Sequence, residues 1–518
     1  MAFHIGKRCE FSGHYGTIRY FGEVASTSGD WFGVEWDEKR GKHNGTHENK
    51  HYFKCKDGHG SFLRPNKINF GITLKEAIKR RYADHPEEVT QDDMYVFGSG
   101  TQKTLVEVIG FDKVHEKLRQ VAKLKKVSLV GMSIKEDDAE IDSKLHKIAP
   151  NVQELDIAGN LFNSWSQVVD IIQKMKNLVE LNISENKISV DAFLEDAHPR
   201  SLTLKVLFAN RINITSDQIV DLLDFVPNLS ELHACFNGIQ SITNRQTAQL
   251  HSLRLLNLEG NKLEWNEVMK LSSLKSLETL ILNNNRISKI YLSTQDENMG
   301  FKALASISIS GNEVSEWTSV NKLALLPTLS KVKFKLNPLC KGKTTFDLRQ
   351  ELIARLGRVV VVNGGEVTTR ERNECELLYM KKYCQLWLEC GGIDNDLNGE
   401  KLSQQFQELH PRFLELIRCH GPPVLSVQKG KTLKDKLIIL QFKCPDLDEN
   451  KIIEKKVPIT MTLQQLKSLL QRLFKIQASK QQVSYLDSKT HKEVKMDDNL
   501  RDLEFYSITK NDIVLVRS

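Results

Sequence analysis

Leu253-Arg-Leu-Leu-Asn-Leu-Glu-Gly-Asn261 sets the pattern for most of this chain. Apolar residues stand at Leu253, Leu256 and Leu258, and an asparagine closes the phrase. The same spacing recurs upstream at Val152, Leu155, Ile157 and Asn160, and Asn186, Asn237, Asn285, Asn312 and Asn337 close it again. Counted from the first apolar residue, repeats start at Leu124, Val152, Leu178, Leu204, Leu229, Leu253, Leu277, Leu304 and Leu329, at intervals of 24 to 28 residues. Self-similarity at that period predicts stacked supersecondary units. In each unit a short strand buries two apolar side chains, and the asparagine amide satisfies backbone groups at the turn that leaves the strand. The product is a solenoid with a long concave surface suited to gripping other proteins. Met132 and Ile212 stand where asparagine is expected. The first reads as an irregular capping coil, and the second leaves one turn of the ladder without its amide.

The phrase resembles leucine-rich repeats, which implies an α/β solenoid over residues 121–345. Side chains flanking the buried pairs line the concave face, because successive strand residues point to opposite sides. Early repeats place Glu154, Asp156, Glu180 and Glu231 there, the middle Phe208, Leu255 and Ile281, and the last Lys331, Lys333 and Lys335. The apolar middle and basic end read as a contact surface for a protein partner. The three lysines also suit a solvated edge strand, which charge protects from pairing with other chains.

At 518 residues the chain is too long for one core, and typical domain size predicts about three domains. Apolar content of 40% and charged content of 27% are ordinary for a globular protein. No apolar run reaches membrane-spanning length and Met1–Gly13 lacks a signal-peptide core, so no membrane role and a cytosolic location are expected. Nine cysteines without a C-x-x-C pair point to reduced thiols. A net charge of +7 biases the chain mildly toward acidic partners and is too diffuse to imply nucleic acid. Nucleophile, base and metal constellations are not evident, so neither an enzyme nor a cofactor is expected.

Residues 1–70 alternate glycines and aromatics with short apolar stretches, as in a small β-barrel. His14-Tyr-Gly-Thr-Ile-Arg-Tyr-Phe-Gly22, Trp31-Phe-Gly-Val-Glu-Trp-Asp37, Gly41-Lys-His-Asn-Gly45 and Gly60-Ser-Phe-Leu-Arg64 resemble, in order and spacing, a CAP-Gly domain. The resemblance implies a grip on the carboxyl-terminal Glu-Glu-Tyr or Glu-Glu-Phe tail of α-tubulin and of some end-binding proteins. It assigns Lys42 and Asn44 to the acidic groups, Trp31, Phe32 and Phe62 to the walls of an aromatic slot, and Arg64 to added charge. Cations and donors beside such a slot suit a carboxylate that follows two glutamates. Gly41 and Gly45 let the loop backbone approach the ligand. His43 departs from the family's usual Gly-Lys-Asn-Asp-Gly loop, which replaces an amide and introduces pH sensitivity. Trp36 reads as barrel core. His47, His51 and Cys55 have a spacing that aligns metal ligands only on a helix, and here they lead into a strand, so no metal is expected.

Residues 71–120 read as a linker with a helix at Leu74–Tyr82 and a flexible turn at Gly98-Ser-Gly100. Residues 346–425 read as a helical cap over the solenoid end, with Leu377–Trp387 covering the last repeat, and Arg370–Tyr379 resembles the caps of cytosolic leucine-rich-repeat proteins. From residue 432 to 518, strands at Leu437–Phe442, Lys455–Ile459 and Ile513–Val516 and a Thr462-capped helix ending at Phe474 resemble an α+β ubiquitin-like (β-grasp) domain. The final Arg517-Ser518 lacks a diglycine, which predicts a docking module and not a conjugated modifier. Ser484 falls where ubiquitin carries its central recognition isoleucine, which argues against a ubiquitin-receptor ligand.

A multidomain chain of β-barrel, capped solenoid and β-grasp module in this order resembles the tubulin-folding cofactor E family. The resemblance implies a cytosolic, cytoskeleton-associated chaperone. It would capture α-tubulin, join β-tubulin carried by cofactor D, and act on αβ-tubulin dimers with cofactors B and C and a small GTPase. Two other readings use the same modules: a microtubule-associated CAP-Gly adaptor, and a ubiquitin- or proteasome-linked scaffold.

Overall fold

Strand alternation in the N-terminal module buries one row of side chains and leaves the other for a site. In the computed structural model, β1 (Arg8–Phe11), β2 (His14–Glu23) and β3 (Asp30–Trp36) are followed by the short β4 (Thr46–His47) and β5 (Lys50–His51) and by β6 (Gly60–Leu63). An antiparallel sheet runs β1-β2-β3-β6, with β4 paired to β5. Cys9, Ile18, Phe32, Val34 and Trp36 form its core. The structure describes residues 5–82, 121–135, 148–189, 201–243, 252–292, 300–393, 399, 401–423, 437–486, 493–499, 501–506, 508–509 and 512–517, and the backbone of 95–97 and 103–105.

Helix α1 (Leu74–Tyr82) occupies the span predicted for it, and its Leu74, Ala77 and Ile78 enter the core shared by the repeats. This helix therefore closes the N-terminal end of the solenoid. A two-stranded pair, β7 (Tyr95–Phe97) and β8 (Lys103–Leu105), follows; the turn read at Gly98-Ser-Gly100 lies outside the described residues.

Every repeat phrase then yields a three-residue strand beginning two residues after its first apolar position. These are β9 (Lys126–Ser128), β10 (Glu154–Asp156), β11 (Glu180–Asn182), β12 (Val206–Phe208), β13 (Glu231–His233), β14 (Leu255–Asn257), β15 (Thr279–Ile281), β16 (Ser306–Ser308) and β17 (Lys331–Lys333). All pair in parallel. Helices α2 (Trp165–Lys174), α3 (Ser216–Phe225), α4 (Trp265–Met269) and α5 (Trp317–Leu323) lie between successive strands.

The asparagines stitch neighbouring repeats. Asn285 Nδ2 donates to Leu258 O (3.0 Å) in the preceding repeat and to Leu282 O (3.1 Å) in its own, while its Oδ1 accepts from Leu263 N (3.0 Å). Ile212 supplies no amide of its own: its side chain is buried, and its backbone N–H joins the ladder by donating to Asn237 Oδ1 at 2.9 Å. At the first turn Asn160 supplies the amide, accepting from Ile134 N and donating to Leu129 O, both at 2.9 Å.

Beyond β17 come α6 (Thr345–Leu356), β18 (Val361–Val362), β19 (Gly365–Glu366), α7 (Thr369–Glu389), α8 (Gln404–Leu409) and α9 (Phe413–His420). The helical cap thus contains two strands that the sequence reading did not anticipate. β18 adds in parallel to β17, and antiparallel β19 ends the sheet, so β17 is an inner strand. The solvated-edge explanation for Lys331, Lys333 and Lys335 is corrected accordingly. Buried Arg355 joins cap to repeats, pairing with Glu351 at 2.9 Å and lying 4.5 Å from the centre of the Trp317 ring. A buried guanidinium requires such partners.

The barrel and the first repeats meet directly. Lys187 Nζ lies 3.0 Å from Asp37, which also holds the buried Arg8, and Asn163 Nδ2 donates to Gly6 O at 3.2 Å.

The C-terminal unit, separate from residues 1–423, contains β20 (Leu437–Cys444), β21 (Asp448–Pro458), α10 (Leu463–Phe474), β22 (Gln482–Leu486), β23 (Glu493–Met496) and β24 (Ile513–Arg517). Its sheet order is β21-β20-β24-β22-β23, with β20 parallel to β24. Thr462 caps α10 by accepting from Gln465 N, and Leu463, Leu466, Leu470 and Phe474 pack into the unit's core. Ser484 is buried, its hydroxyl 2.5 Å from Glu493 Oε1, so this position presents no recognition surface. Among the described residues no helix is long and apolar enough to cross a membrane.

Candidate functional site

The barrel's second face is set by register. Gly33 stands opposite Tyr20 on β2 and Phe62 on β6, and Trp31 stands opposite Gly22. Trp31, Tyr20 and Phe62 therefore share one face, while Phe32 and Val34 point into the core. Phe62 is ringed by Tyr20, His43, His47, Tyr52 and Phe53, with centroids 4.9 to 6.2 Å away. Trp31 is half-buried; its Nε1 donates to Thr27 Oγ1 at 2.8 Å, and the Arg64 guanidinium lies 3.8 Å from the ring centre. Arg64 also donates to Ser28 O at 2.6 Å. The Arg64 charge is thus fixed at one end of the aromatic row.

The loop Gly41–Gly45 is clamped on β6. Lys42 N and His43 N both donate to Gly60 O, at 2.8 and 3.2 Å, and Gly60 N donates to His43 O at 2.7 Å. Gly45 has φ +98°, and a Cβ there would sit 1.5 Å from Phe53 O, so no other residue fits. With the backbone held, the side chains of Lys42 and Asn44 project into solvent, and among the described residues neither makes a hydrogen bond or ion pair. His43 is turned inward. Its Nδ1 accepts from Gly45 N at 3.0 Å, which fixes a neutral ring with its proton on Nε2. Burial, then the nearby His47, push its pKa below the ordinary value. At neutral pH the loop's cation is therefore Lys42, and His43 is a structural brace.

His47, His51 and Cys55 are engaged separately: His47 against Phe62, His51 Nδ1 3.2 Å from Thr46 Oγ1, and Cys55 Sγ 3.9 Å from His43 O.

On the solenoid's strand face, Glu154, Asp156, Glu180 and Glu231 are half-buried, and burial followed by repulsion from Glu154 raises the Glu180 pKa. Phe208 is half-buried and stacked on His233 (4.4 Å, 16°); the register continues that row through Asn257 to Ile281 and sets Leu255 in the neighbouring row beside Glu231. Lys331, Lys333 and Lys335 are exposed. One face thus carries carboxylates on β10, β11 and β13, apolar side chains between β12 and β15, and lysines on β17.

The family model for the CAP-Gly domain matches residues 5–68, and that for a ubiquitin-like domain matches residues 438–517. Tubulin-specific chaperone E of Bos taurus and of Homo sapiens are each 35% identical to this chain over 99% of it and 98% of their own length. Tubulin-folding cofactor E of Arabidopsis thaliana is 32% identical over 92% of this chain and 91% of its own. The chain belongs to the tubulin-specific chaperone E family. A solved C-terminal ubiquitin-like domain of mouse tubulin-specific chaperone E is 40% identical, covering 16% of this chain and 86% of that one, with a TM-score of 0.15.

In this tubulin-specific chaperone E family member the barrel face gathers most of the residues that the sequence pattern assigned to the N-terminal site. Trp31, Gly41, Lys42, His43, Asn44, Gly45, Phe62 and Arg64 share that face or its bordering loop. Phe32 does not. It is 3% exposed and packs on Phe21 and Phe70 with centroids 4.8 and 5.7 Å away, so its assignment to the slot wall is corrected. Tyr20, His47 and Tyr52, which the sequence reading left out, take part in the aromatic shell instead. Tyr20 follows a register shift between Ile18 and Tyr20 in β2 that turns it off the core face of Ile18, so period-two counting along that strand carries no signal for it.

Proposed function

We propose that this chain is a tubulin-folding chaperone that captures α-tubulin through its acidic carboxyl-terminal tail and a second contact on the tubulin body. The observation that carries this reading is the pairing of an outward Lys42 and Asn44, on a rigid loop, with an aromatic face bearing Trp31 and Phe62. The tail's carboxylates meet Lys42 and Asn44, and its terminal ring lies among the barrel aromatics. Phe208, Leu255, Ile281, Lys331, Lys333 and Lys335 supply the body contact.

A tail contact alone, at about micromolar affinity or roughly −8 kcal/mol, holds a subunit without remodelling it. The barrel lies against the first repeats, with Lys187 on Asp37 and Asn163 on Gly6 O, so tail capture raises the local concentration of the tubulin body near the solenoid. To separate αβ-tubulin, the chaperone must favour the released or distorted subunit over the dimer, since equal affinity shifts no equilibrium. The reading places this work in the cytoplasm with tubulin cofactors B, C and D and a small GTPase, and leaves nucleotide hydrolysis to that partner. Size-exclusion chromatography of the full chain with native tubulin dimer tests it. Co-elution of α-tubulin freed of β, weakened by Lys42→Ala with Asn44→Ala, is expected; an intact dimer, or no association, contradicts it.

A further inference from the structure

In all nine repeats the residue before the closing position has φ between 54° and 70°. Only glycine and, less readily, asparagine accept that left-handed backbone without strain. Four of the nine are glycines and one is Asn284. Two large apolar residues occupy it against this preference, Phe236 and Leu336. Phe236 is accounted for by packing: the Arg211 guanidinium covers its ring at 4.3 Å, and Gly260 of the next repeat leaves it room, since a Cβ there would lie 2.2 Å from the ring. Leu336 has no comparable cover and is 82% exposed, the highest value among the large apolar residues described. A strained, solvated leucine contributes nothing evident to folding, and such outliers point toward function.

Leu336 borders a groove of about 1080 Å³ at the C-terminal end of the repeats. Phe346, 57% exposed on the first turn of α6, also lines it, and buried Leu348 and Val362 contribute apolar surface. Lys335 and Lys341 line it too, both exposed and without an ion pair among the described residues. Lys343 and Arg349 add positive charge; their nitrogens donate to Leu339 O (2.7 Å) and pair with Glu371 (2.6 Å) respectively. Among the described residues no aspartate or glutamate lines the groove.

We infer that this groove is a second peptide site, which takes an acidic segment of a partner protein carrying one aromatic or large aliphatic side chain. The apolar side chain fills the space beside Leu336 and Phe346, and flanking carboxylates meet Lys335 and Lys341. A second copy of this chain suits it poorly, because the chain itself carries a net charge of +7. The inference goes beyond tail capture by the barrel and shares only Lys335 with the basic contact proposed above.

The probe is fluorescein-labelled Glu-Glu-Phe-Glu-Glu with an amidated C-terminus, titrated into the full chain by fluorescence anisotropy. Amidation removes the free carboxylate that the barrel site is proposed to read. Binding that weakens with salt is expected. Leu336→Asn and Lys341→Glu should each weaken it at least tenfold, whereas Lys42→Ala with Asn44→Ala should leave it unchanged. Asparagine suits the left-handed backbone, so Leu336→Asn should keep or raise the thermal midpoint, which separates lost binding from lost folding. Absence of binding to the wild-type chain, unchanged affinity in Leu336→Asn, or loss in the Lys42/Asn44 variant would each overturn the inference. A parallel titration with free-carboxylate Glu-Glu-Tyr reports on the barrel alone, so failure of either site is read independently.

Discussion

Replacing Asp37 and replacing Lys187 break the same junction, yet they should differ greatly in cost. Asp37 accepts from Arg8 through both carboxylate oxygens, and the Arg8 side chain is only 3% exposed, with a further bond to Thr17 Oγ1 at 3.0 Å. Asp37→Ala leaves that guanidinium buried and uncompensated. Losses of this kind run at about 3–5 kcal/mol, and because Asp37 itself is 32% exposed and water can enter, the lower figure of about 3 kcal/mol applies. Lys187 is 37% exposed, so Lys187→Ala removes a surface bridge worth about 0.2–1 kcal/mol. Hydrogen exchange in β2 and β3 reads local stability in the intact chain. Asp37→Ala should lower protection there about 100-fold, and Lys187→Ala by less than about fivefold. The pH dependence has a definite sign. Burial raises the Asp37 pKa, but the hydrogen bond and charge of Arg8, then Lys187, outweigh it and hold the group below its ordinary value. A depressed carboxyl stabilises the fold above its unfolded pKa, about 3.9, and that contribution is lost as pH falls through the folded value. Protection in the barrel should thus be flat above about pH 5 and decline below about pH 4. Comparable losses in the two variants, or under fivefold loss in Asp37→Ala, would refute the argument.

The other predictions concern the ladder, the basic face and the C-terminal unit. Asn285→Ala strips partners from Leu258 O, Leu282 O and Leu263 N, and at about 1–3 kcal/mol for a buried unsatisfied group it should lower the thermal midpoint and open the middle repeats to proteolysis. Lys331→Glu, Lys333→Glu and Lys335→Glu together should slow tubulin dimer dissociation and flatten its salt dependence while leaving tail-peptide binding intact; normal dissociation across a salt series would show that these lysines only solubilise. Deleting residues 424–518 should leave peptide affinity unchanged but reduce dimer dissociation, and a full rate in the truncated chain would free the ubiquitin-like unit from the mechanism.

The repeats were legible because burial and turn chemistry fall on fixed positions: the strands begin two residues after Leu124, Val152 and each later start. Ile212 shows where the solenoid tolerates a departure from the pattern: a buried apolar side chain stands in the asparagine's place, and its backbone N–H still donates to Asn237 Oδ1. Phe32 was misplaced although the signal was available. Trp36 was read as core, and residues 32, 34 and 36 of one strand share a face. Of the two cap strands, β18 was hidden in a short valine run, Val359–Val362, whose partner β17 is non-local, and β19 in the two residues Gly365–Glu366. Hydrogen bonding between Gly45 N and His43 Nδ1, which turns His43 from a charge into a brace, depends on the loop's closure and carries no sequence signature.

Calorimetric titration of the full chain with a free-carboxylate Glu-Glu-Tyr peptide tests the central claim most directly. The account predicts about micromolar binding by the wild-type chain and at least tenfold weaker binding, about 1.4 kcal/mol, in a folded Lys42→Ala, Asn44→Ala variant. Equal affinity in the two proteins would contradict it.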